Sequence, residues 1–402
     1  MFRTILTAAF LAATLTAAGA APQRYALDIR AGQLSGPGAK ILTDEIAHAQ
    51  FILYGEDHGF ADSPIVLRAI AKAARPQGFT RLVIETGPLT ARLFADTLAR
   101  DGLAGVHRLI RRVPLGIPFL SLRQDAMLAG DFHGHDAKGA PFLCGVDQEF
   151  IGSSVFHLER LVALAPNARA RTKAGKLLAE ERAAAAKADQ QHFLLMRFGD
   201  ADFDSLASAF AGRSDAETII AEMKESAAIY QLWFHGHNYE NNARRARLLA
   251  RNFLNCYHAA ADPMPKFLFK MGLEHVALGT TTNNTVDLGT LATSIARLNG
   301  KDALRIAFLP AGGQTARFAP KAGNPYDTAV YDDPDVLDVF AAIGLDTATL
   351  PRTGWTLIPL APIRQSLDTR GIDKLKPIAR LVVLGYDYVI TTPDAKAGAP
   401  LY

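Results

Sequence analysis

The sequence has few cysteines, no long apolar run beyond its N-terminus and no cluster of basic residues. Its two cysteines, Cys144 and Cys256, allow one disulfide in an exported protein and are equally compatible with two buried free thiols. No segment after the N-terminal run is long and apolar enough to span a bilayer. No basic run contains interleaved aromatic residues, so the sequence carries no nucleic-acid signal and no nucleic-acid partner is expected.

The N-terminus is typical of a secretory signal peptide. Met1-Phe2-Arg3 precedes a small and apolar stretch from Thr4 to Thr16, and Ala18-Gly19-Ala20 provides a small-residue cleavage site. No cysteine follows that site, so a lipid anchor is not expected; an uncleaved N-terminal anchor is the alternative. Removal of residues 1–20 leaves 42 basic and 40 acidic residues, since Arg3 is the one charged residue lost. We expect a secreted or periplasmic protein cleaved near Ala20.

The rest of the chain alternates between short apolar runs and amphipathic stretches. This alternation predicts an α/β fold with a central, mostly parallel sheet flanked by helices. Strands are predicted at 51–54, 81–85, 141–146, 266–271, 304–309, 355–360 and 386–391, and helices near 63–74, 88–100 and 287–298. Between them, long helical patterns interrupt the sheet. The predicted organisation is a signal peptide (1–20), a first α/β part (21–152), a helical cap (153–260) and a second α/β part (261–402).

Titratable residues follow four of the predicted strands. Because the carboxyl ends of parallel strands meet at one edge of a sheet, these residues are expected to form one site there. They are Glu56 and His58 after the first strand, Glu85 after the second, Asp147 after the third and His275 after the fourth. Asp147 alone would also be explained as a helix-capping residue. No Gly-x-Ser-x-Gly motif is present, which argues against an ordinary α/β-hydrolase.

These segments carry a resemblance to a known superfamily. Gly55-Glu56-Asp57-His58-Gly59 resembles the opening motif of the erythromycin esterase family and of its relatives, the ChaN-like haem-uptake and Tiki-type proteins. The resemblance covers about residues 49 to 391. Further similar segments, in chain order, are Ile84-Glu85-Thr86-Gly87, Gly145-Val146-Asp147-Gln148, the helix from Arg245 to Asn252, the strand from Lys266 to Ala277, and Tyr386-Asp387-Tyr388-Val389-Ile390.

The resemblance implies an acid–histidine centre that hydrolyses an ester or amide bond of a small-molecule substrate without a serine nucleophile. In such a centre His58 is the general base, and Glu56 and Glu85 orient it or the water. Arg245 or His275 stabilises the oxyanion. The substrate-binding residues are expected to be Arg245, Asp147, Asp57 and His237, and the helical cap would shape their pocket.

Two alternatives follow from the relatives. The same four side chains, Glu56, His58, Glu85 and His275, form a plausible set of ligands for a divalent metal, as Tiki-type relatives imply. A haem-binding role, which ChaN-like relatives imply, ranks below hydrolysis. The chain also departs from the esterases, because one residue separates Glu56 from His58 where they have two, and Ala246 replaces an aspartate. Both departures argue against a macrolide substrate.

A Phe-His-Gly-His tetrapeptide occurs twice, at 132–135 and 234–237. Alternate histidines could form a second metal site, but no third ligand has diagnostic spacing, so two ordinary loops are the preferred interpretation. A Thr- and Asn-rich run at 280–285 is predicted to be a loop. Phe193, Leu194, Leu195, Met196 and Phe198 are predicted to lie in the core of the cap.

Overall fold

The computed structural model describes residues 21–135, 141–321 and 323–401, so the predicted signal peptide lies outside the described residues. The strands are β1 (Tyr25–Arg30), β2 (Gln33–Ser35), β3 (Ala49–Glu56), β4 (Arg81–Ile84), β5 (Leu143–Gly145), β6 (Phe267–Gly272), β7 (Asp302–Phe308), β8 (Gln314–Phe318), β9 (Tyr326–Val330), β10 (Trp355–Pro359) and β11 (Tyr388–Thr391). The first nine helices are α1 (Pro37–His48), α2 (Asp62–Ala74), α3 (Pro88–Arg112), α4 (Arg123–Gly130), α5 (Ser154–Leu164), α6 (Ala168–Lys187), α7 (Leu194–Arg197), α8 (Asp200–Ala209) and α9 (Ser214–Phe234). The remainder are α10 (Asn238–Ala259), α11 (Leu273–Val276), α12 (Leu288–Leu298), α13 (Pro334–Ala342), α14 (Ala361–Ser366), α15 (Thr369–Lys374) and α16 (Pro377–Gly385). Short 3₁₀ turns lie at Arg75–Gln77, Ile151–Ser153, Gln190–His192 and Thr347–Thr349.

One large sheet organises the molecule. Within the described residues it has nine strands in the order β2-β1-β10-β11-β7-β3-β6-β4-β5. The six strands from β11 to β5 are parallel neighbours, whereas β10, β1 and β2 pair antiparallel at the other edge. The predicted α/β fold with a mostly parallel sheet is therefore confirmed.

The central strand β3 explains why the sheet is covered on both faces. All eight of its residues are buried, as expected for a parallel strand between two helical layers. Successive side chains point to opposite faces. Ile52 and Tyr54 pack into one hydrophobic core, and Phe51 and Leu53 pack into the second. The apolar run thus places Glu56 at the carboxyl end of β3, where the buried strand is followed by a loop.

Most predicted elements match the observed ones to within a few residues, but strands β1, β2, β8 and β9 and several helices, α1 among them, were not predicted. The helix predicted near 88–100 continues to Arg112, past Gly102, whose φ of 63° marks a kink inside it. The β8–β9 hairpin, outside the main sheet, was not predicted. Its strands carry exposed and partly exposed residues, so they lack the apolar run by which the other strands were recognised.

The chain from 154 to 259 is helical apart from short connections. Phe193, Leu194 and Leu195 are fully buried there and Phe198 is nearly so, which confirms the predicted core, although Met196 is only half-buried. Within the described part of the chain, no helix is long and apolar enough to cross a membrane. The division into a cap and two α/β parts stays a prediction.

A disulfide joins Cys144 on β5 to Cys256 on α10, with their Cα atoms 6.2 Å apart. Of the two states left open by the sequence, the paired one is present. The bond closes 112 residues of chain, so it restricts the unfolded ensemble strongly. Replacing both cysteines by serine should lower the free energy of unfolding by about 2–4 kcal/mol. Urea denaturation measures this, and reduction should destabilise the wild type but leave the double variant unchanged.

Candidate active site

The carboxyl ends of β3, β6, β4 and β5 bring the predicted residues together. Glu56 is the last residue of β3, and Glu85 directly follows β4. Asp147 follows β5, and His275 lies in the short helix α11 that begins immediately after β6. Because these four strands are adjacent and parallel, their ends form one edge of the sheet. The convergence expected from the sequence is present.

His58 lies between two carboxylates. Its Nδ1 is 2.9 Å from Glu56 Oε1 and its Nε2 is 3.4 Å from Glu85 Oε2. A neutral imidazole donates from one nitrogen only, so two carboxylate partners favour the doubly protonated ring. Burial opposes that charge, but the hydrogen bonds to Glu56 and Glu85 outweigh it and raise the pKa of His58 to about 10. His58 is therefore an imidazolium at neutral pH.

Glu56 is held ionised from three sides. Its Oε1 accepts from Lys270 Nζ at 2.5 Å as well as from His58, and its Oε2 accepts from the Ser63 hydroxyl. Burial raises the pKa of Glu56, but the Lys270 ammonium and the His58 ring overcome this and lower it to about 2. The carboxylate therefore has no free oxygen and acts as a fixed counter-charge for His58.

Glu85 links both histidines to Arg245. It accepts from Arg245 at 2.8 Å and from the Gly272 backbone N–H at 2.6 Å, and its Oε1 is 3.4 Å from His275 Nε2. Burial raises its pKa, but the charges of His275 and His58 hold it well below the ordinary value. A Cβ at Gly272 would lie 3.2 Å from His58 Nε2 and 3.3 Å from Glu85. Glycine thus permits the close approach of this strand end to the site.

His275 and Arg245 complete the buried network. His275 Nδ1 is 2.8 Å from Asp287 Oδ2, so this ring also lies between two carboxylates. Burial and Arg245 disfavour its charge, but Glu85 and Asp287 raise its pKa to about 10. Arg245 donates two hydrogen bonds to Asp147, from Nε at 2.8 Å and from a terminal nitrogen. This bidentate pair fixes the guanidinium against the sheet edge.

A cavity of about 450 Å³ opens at this edge. Glu56, Asp57 and His58 line it, and the His58 side chain is 31% exposed there. The other predicted residues, Glu85, Asp147, Arg245 and His275, are not among the lining residues. They form a layer behind His58. The apolar wall consists of Pro118, Phe119, Leu122, Phe150, Phe318, Tyr326 and Val330.

Two structures shape the cavity wall. The ring of Phe119 lies 4.5 Å from the His58 ring, centroid to centroid, and its φ of 63° is unusual for a residue with a side chain. The β8–β9 hairpin forms another part of the wall, where Phe318 contacts Phe150 edge to face at 5.6 Å. Ala316 N–H donates to the carbonyl of Gly59. The hairpin is thus anchored directly beside His58.

His237 is the one predicted residue that lies apart from the others. It is exposed and lines a separate cavity of about 300 Å³ beside Arg244. Both Phe-His-Gly-His segments run through turns, at 131–134 and 235–236. Over the described ranges, no group of three or more His, Cys, Asp or Glu side chains has a geometry that could hold a metal. The run at 280–285 is a loop, as predicted.

Four polar residues of this network were not predicted. Lys270 left a signal, since it is a lone charge inside the apolar strand Phe267–Met271, and a buried lysine requires partners. Ser63, Asp125 and Asp287 gave none, because an acid or a serine near a helix start is usually a capping residue. They come from distant segments that only the packing of helices on the sheet brings close.

The four side chains considered as ligands of a divalent metal do not fit a metal ion in this arrangement. Glu56 is already paired with the Lys270 ammonium, and Glu85 with the Arg245 guanidinium. Both ring nitrogens of His58 and of His275 face carboxylates. Cations of the chain itself therefore occupy the positions where an external cation would bind, and no chemical step is assigned to a metal or to haem.

The architecture places the protein in a known class, the α/β proteins with the erythromycin esterase fold. No family model matches the chain, and no curated protein is significantly similar in sequence. A histidine-to-asparagine variant of the erythromycin esterase EreC, in its open conformation, superposes with a TM-score of 0.59 over 94% of this chain and 100% of that one, at 14% identity.

Two other solved structures share the fold. A Bacillus cereus protein has a TM-score of 0.52 at 12% identity, covering 93% of this chain and 96% of that one. A succinoglycan biosynthesis protein also has a TM-score of 0.52, at 11% identity, covering 93% of this chain and 95% of the other. At these identities the similarity establishes the fold alone.

Proposed function

We propose that this protein is an exported hydrolase that cleaves an ester- or amide-type small molecule by direct attack of water. The observation that carries the proposal is the placement of His58, which faces the cavity while both of its ring nitrogens contact carboxylates. Among the described lining residues there is no serine or cysteine, and the hydroxyl of the lining Thr315 donates to the His58 carbonyl. Water is therefore the nucleophile that the site favours.

The charge of His58 determines which step it performs. The general-base role predicted for it needs an unprotonated ring, whereas Glu56 and Glu85 favour the imidazolium. An imidazolium stabilises the negative charge that develops on the carbonyl oxygen, or delivers a proton to the leaving group. We assign it that role. Arg245 and His275 act through Glu85, which they keep ionised and oriented toward His58.

The disulfide supports the export part of the proposal. Disulfides persist in oxidising compartments and are rare in the cytosol. The Cys144–Cys256 bond links β5, which leads to Asp147, to α10, which carries Arg245. Together with the signal-like N-terminus, this favours a periplasmic or secreted location, which fractionation of the producing cell would test.

Turnover of a panel of aryl and alkyl esters and amides by the purified protein tests the function. For the ester that is cleaved, kcat/KM should fall as the pH rises through about 10, because His58 then loses its proton. A rate that instead increases up to pH 10 would restore His58 as the general base. No turnover of any panel member, together with a Soret band on adding haem that is lost in a histidine variant, would favour the ChaN-like alternative.

A further inference from the structure

Asp125 is a buried carboxylate on the wall of the same cavity. It lies on α4, is 4% exposed and lines the cavity together with His58. Its Oδ1 is 2.9 Å from Lys270 Nζ. Among the described residues, Oδ1 is a buried side-chain oxygen without a hydrogen-bond partner, and the ion pair with Lys270 is its recorded contact. A buried carboxylate oxygen without a hydrogen bond is costly, so the carboxylate that lines the cavity is available to a water or a ligand there.

A continuous chain of contacts connects Asp125 to His58. His58 contacts Glu56, Glu56 accepts from Lys270, and Lys270 pairs with Asp125, at 2.9, 2.5 and 2.9 Å. Lys270 therefore fixes two carboxylates of opposite function. Glu56 is fully hydrogen-bonded and holds His58, whereas Asp125 lines the cavity and its Oδ1 has no hydrogen-bond partner among the described residues.

The other acids of the lining are less suited to accept a proton from water. Asp57 accepts from the His58 backbone N–H and lies beside Tyr331. Asp333 caps α13 by accepting from Asp335 N–H, and Asp332 is exposed to solvent. Only a buried, positioned carboxylate keeps water in a fixed orientation.

We propose that Asp125 is the general base that activates the attacking water, with His58 as the acid on the other side of the reacting carbonyl. The proposal rests on the hydrolase function proposed above. The water proton passes to the Asp125 carboxylate as the water oxygen bonds to the carbonyl carbon. The bond to the leaving oxygen or nitrogen then breaks, and that atom takes the proton of the His58 imidazolium. Proton exchange with solvent afterwards returns the proton from Asp125 to His58, so the net change is addition of one water.

The charges around Asp125 suit this role. Burial raises the pKa of Asp125 to about 6. The Lys270 ammonium opposes this rise, and the negative charge of Glu56 adds to it. The groups that face it are Lys270 on β6, Glu56 on β3, the His58 ring and Tyr326 on β9. At neutral pH Asp125 is thus ionised while His58 is protonated, which is the combination that the two steps require.

Replacing Asp125 by asparagine keeps the size of the side chain and removes the proton acceptor. For an ester that the wild type hydrolyses, Asp125→Asn should lower kcat by about 10²–10⁴-fold with a smaller change in KM. The wild-type rate should also fall as the pH drops below about 6, and the residual activity of the variant should lose this acidic limb. A residue that only neutralises Lys270 would change stability without removing that limb.

The matched control is Asp131→Asn. Asp131 follows the same helix, pairs with Arg68 and lies outside the cavity lining, so its variant should keep the wild-type rate and pH profile. If Asp125→Asn does not fold, Asp125→Glu should fold and retain an acidic limb at a shifted pH. Wild-type kcat, or an unchanged acidic limb in Asp125→Asn, would overturn the role of Asp125 while leaving the hydrolase function standing. Absence of turnover by the wild type would overturn both.

Discussion

Replacing His58 by alanine is expected to lower kcat/KM for a hydrolysed ester by about 10²–10⁴-fold, the range of a lost acid–base group. The reason is that, among the described lining residues, the His58 imidazolium is the one cationic side chain that lies between Glu56 and Glu85. Without it, two carboxylates remain near the reacting carbonyl and repel the charge that develops there. Steady-state kinetics with a soluble ester measures the loss.

The fold of the His58→Ala variant should survive. Glu56 keeps Lys270 and Ser63, and Glu85 keeps Arg245 and the Gly272 N–H, so neither carboxylate is left unpaired. His192→Ala is the matched control, because His192 is an exposed histidine paired with Asp189 outside the cavity. Equal rates in the two variants would contradict a role for His58 in the reaction.

Replacing Lys270 by methionine is expected to lower the free energy of unfolding by about 3–5 kcal/mol, the cost of leaving a buried charge unpaired. The Lys270 side chain is 3% exposed, and its partners Glu56 and Asp125 are buried equally deeply. Methionine preserves length and apolar packing on the strand, so the loss reports on charge rather than volume. Urea denaturation of wild type and variant provides the measurement.

The pH dependence of this loss gives a second criterion. The pKa of Glu56 is lowered to about 2 in the folded protein, so its pairing contributes stability at neutral pH that disappears as the pH falls toward that value. The variant lacks this contribution, and its difference from the wild type should narrow in acid. Lys301→Met, at an exposed position, is the control. A loss at Lys270 below about 1 kcal/mol, as for a surface pair, would contradict the buried network.

The sequence predicted the fold and one side of the site because both depend on local pattern. Apolar runs that end in Gly55-Glu56-Asp57-His58-Gly59 or in Glu85 indicate a buried strand that is followed by a loop. They correctly placed polar groups at one edge of the sheet. The same logic failed for the β8–β9 hairpin, whose exposed strands carry no apolar signature, and for His237, which lies beside another cavity.

The roles of the individual side chains in the site depend on contacts that no local sequence pattern predicts. Lys270, Asp125 and Asp287 belong to a strand, a helix and a loop that come together only when helices pack on the sheet. Their charges determine which groups hold protons, because Coulomb interactions act through space and strengthen with burial.

The sequence by itself determined the parallel strands, the position of their carboxyl ends and the residues that emerge there, since side-chain periodicity and burial are local properties. The tertiary structure alone decided that His58 lies between two ionised carboxylates, that Cys144 and Cys256 pair, and that Asp125 shares the cavity. Those features are distances between remote segments, and only the packed chain fixes them.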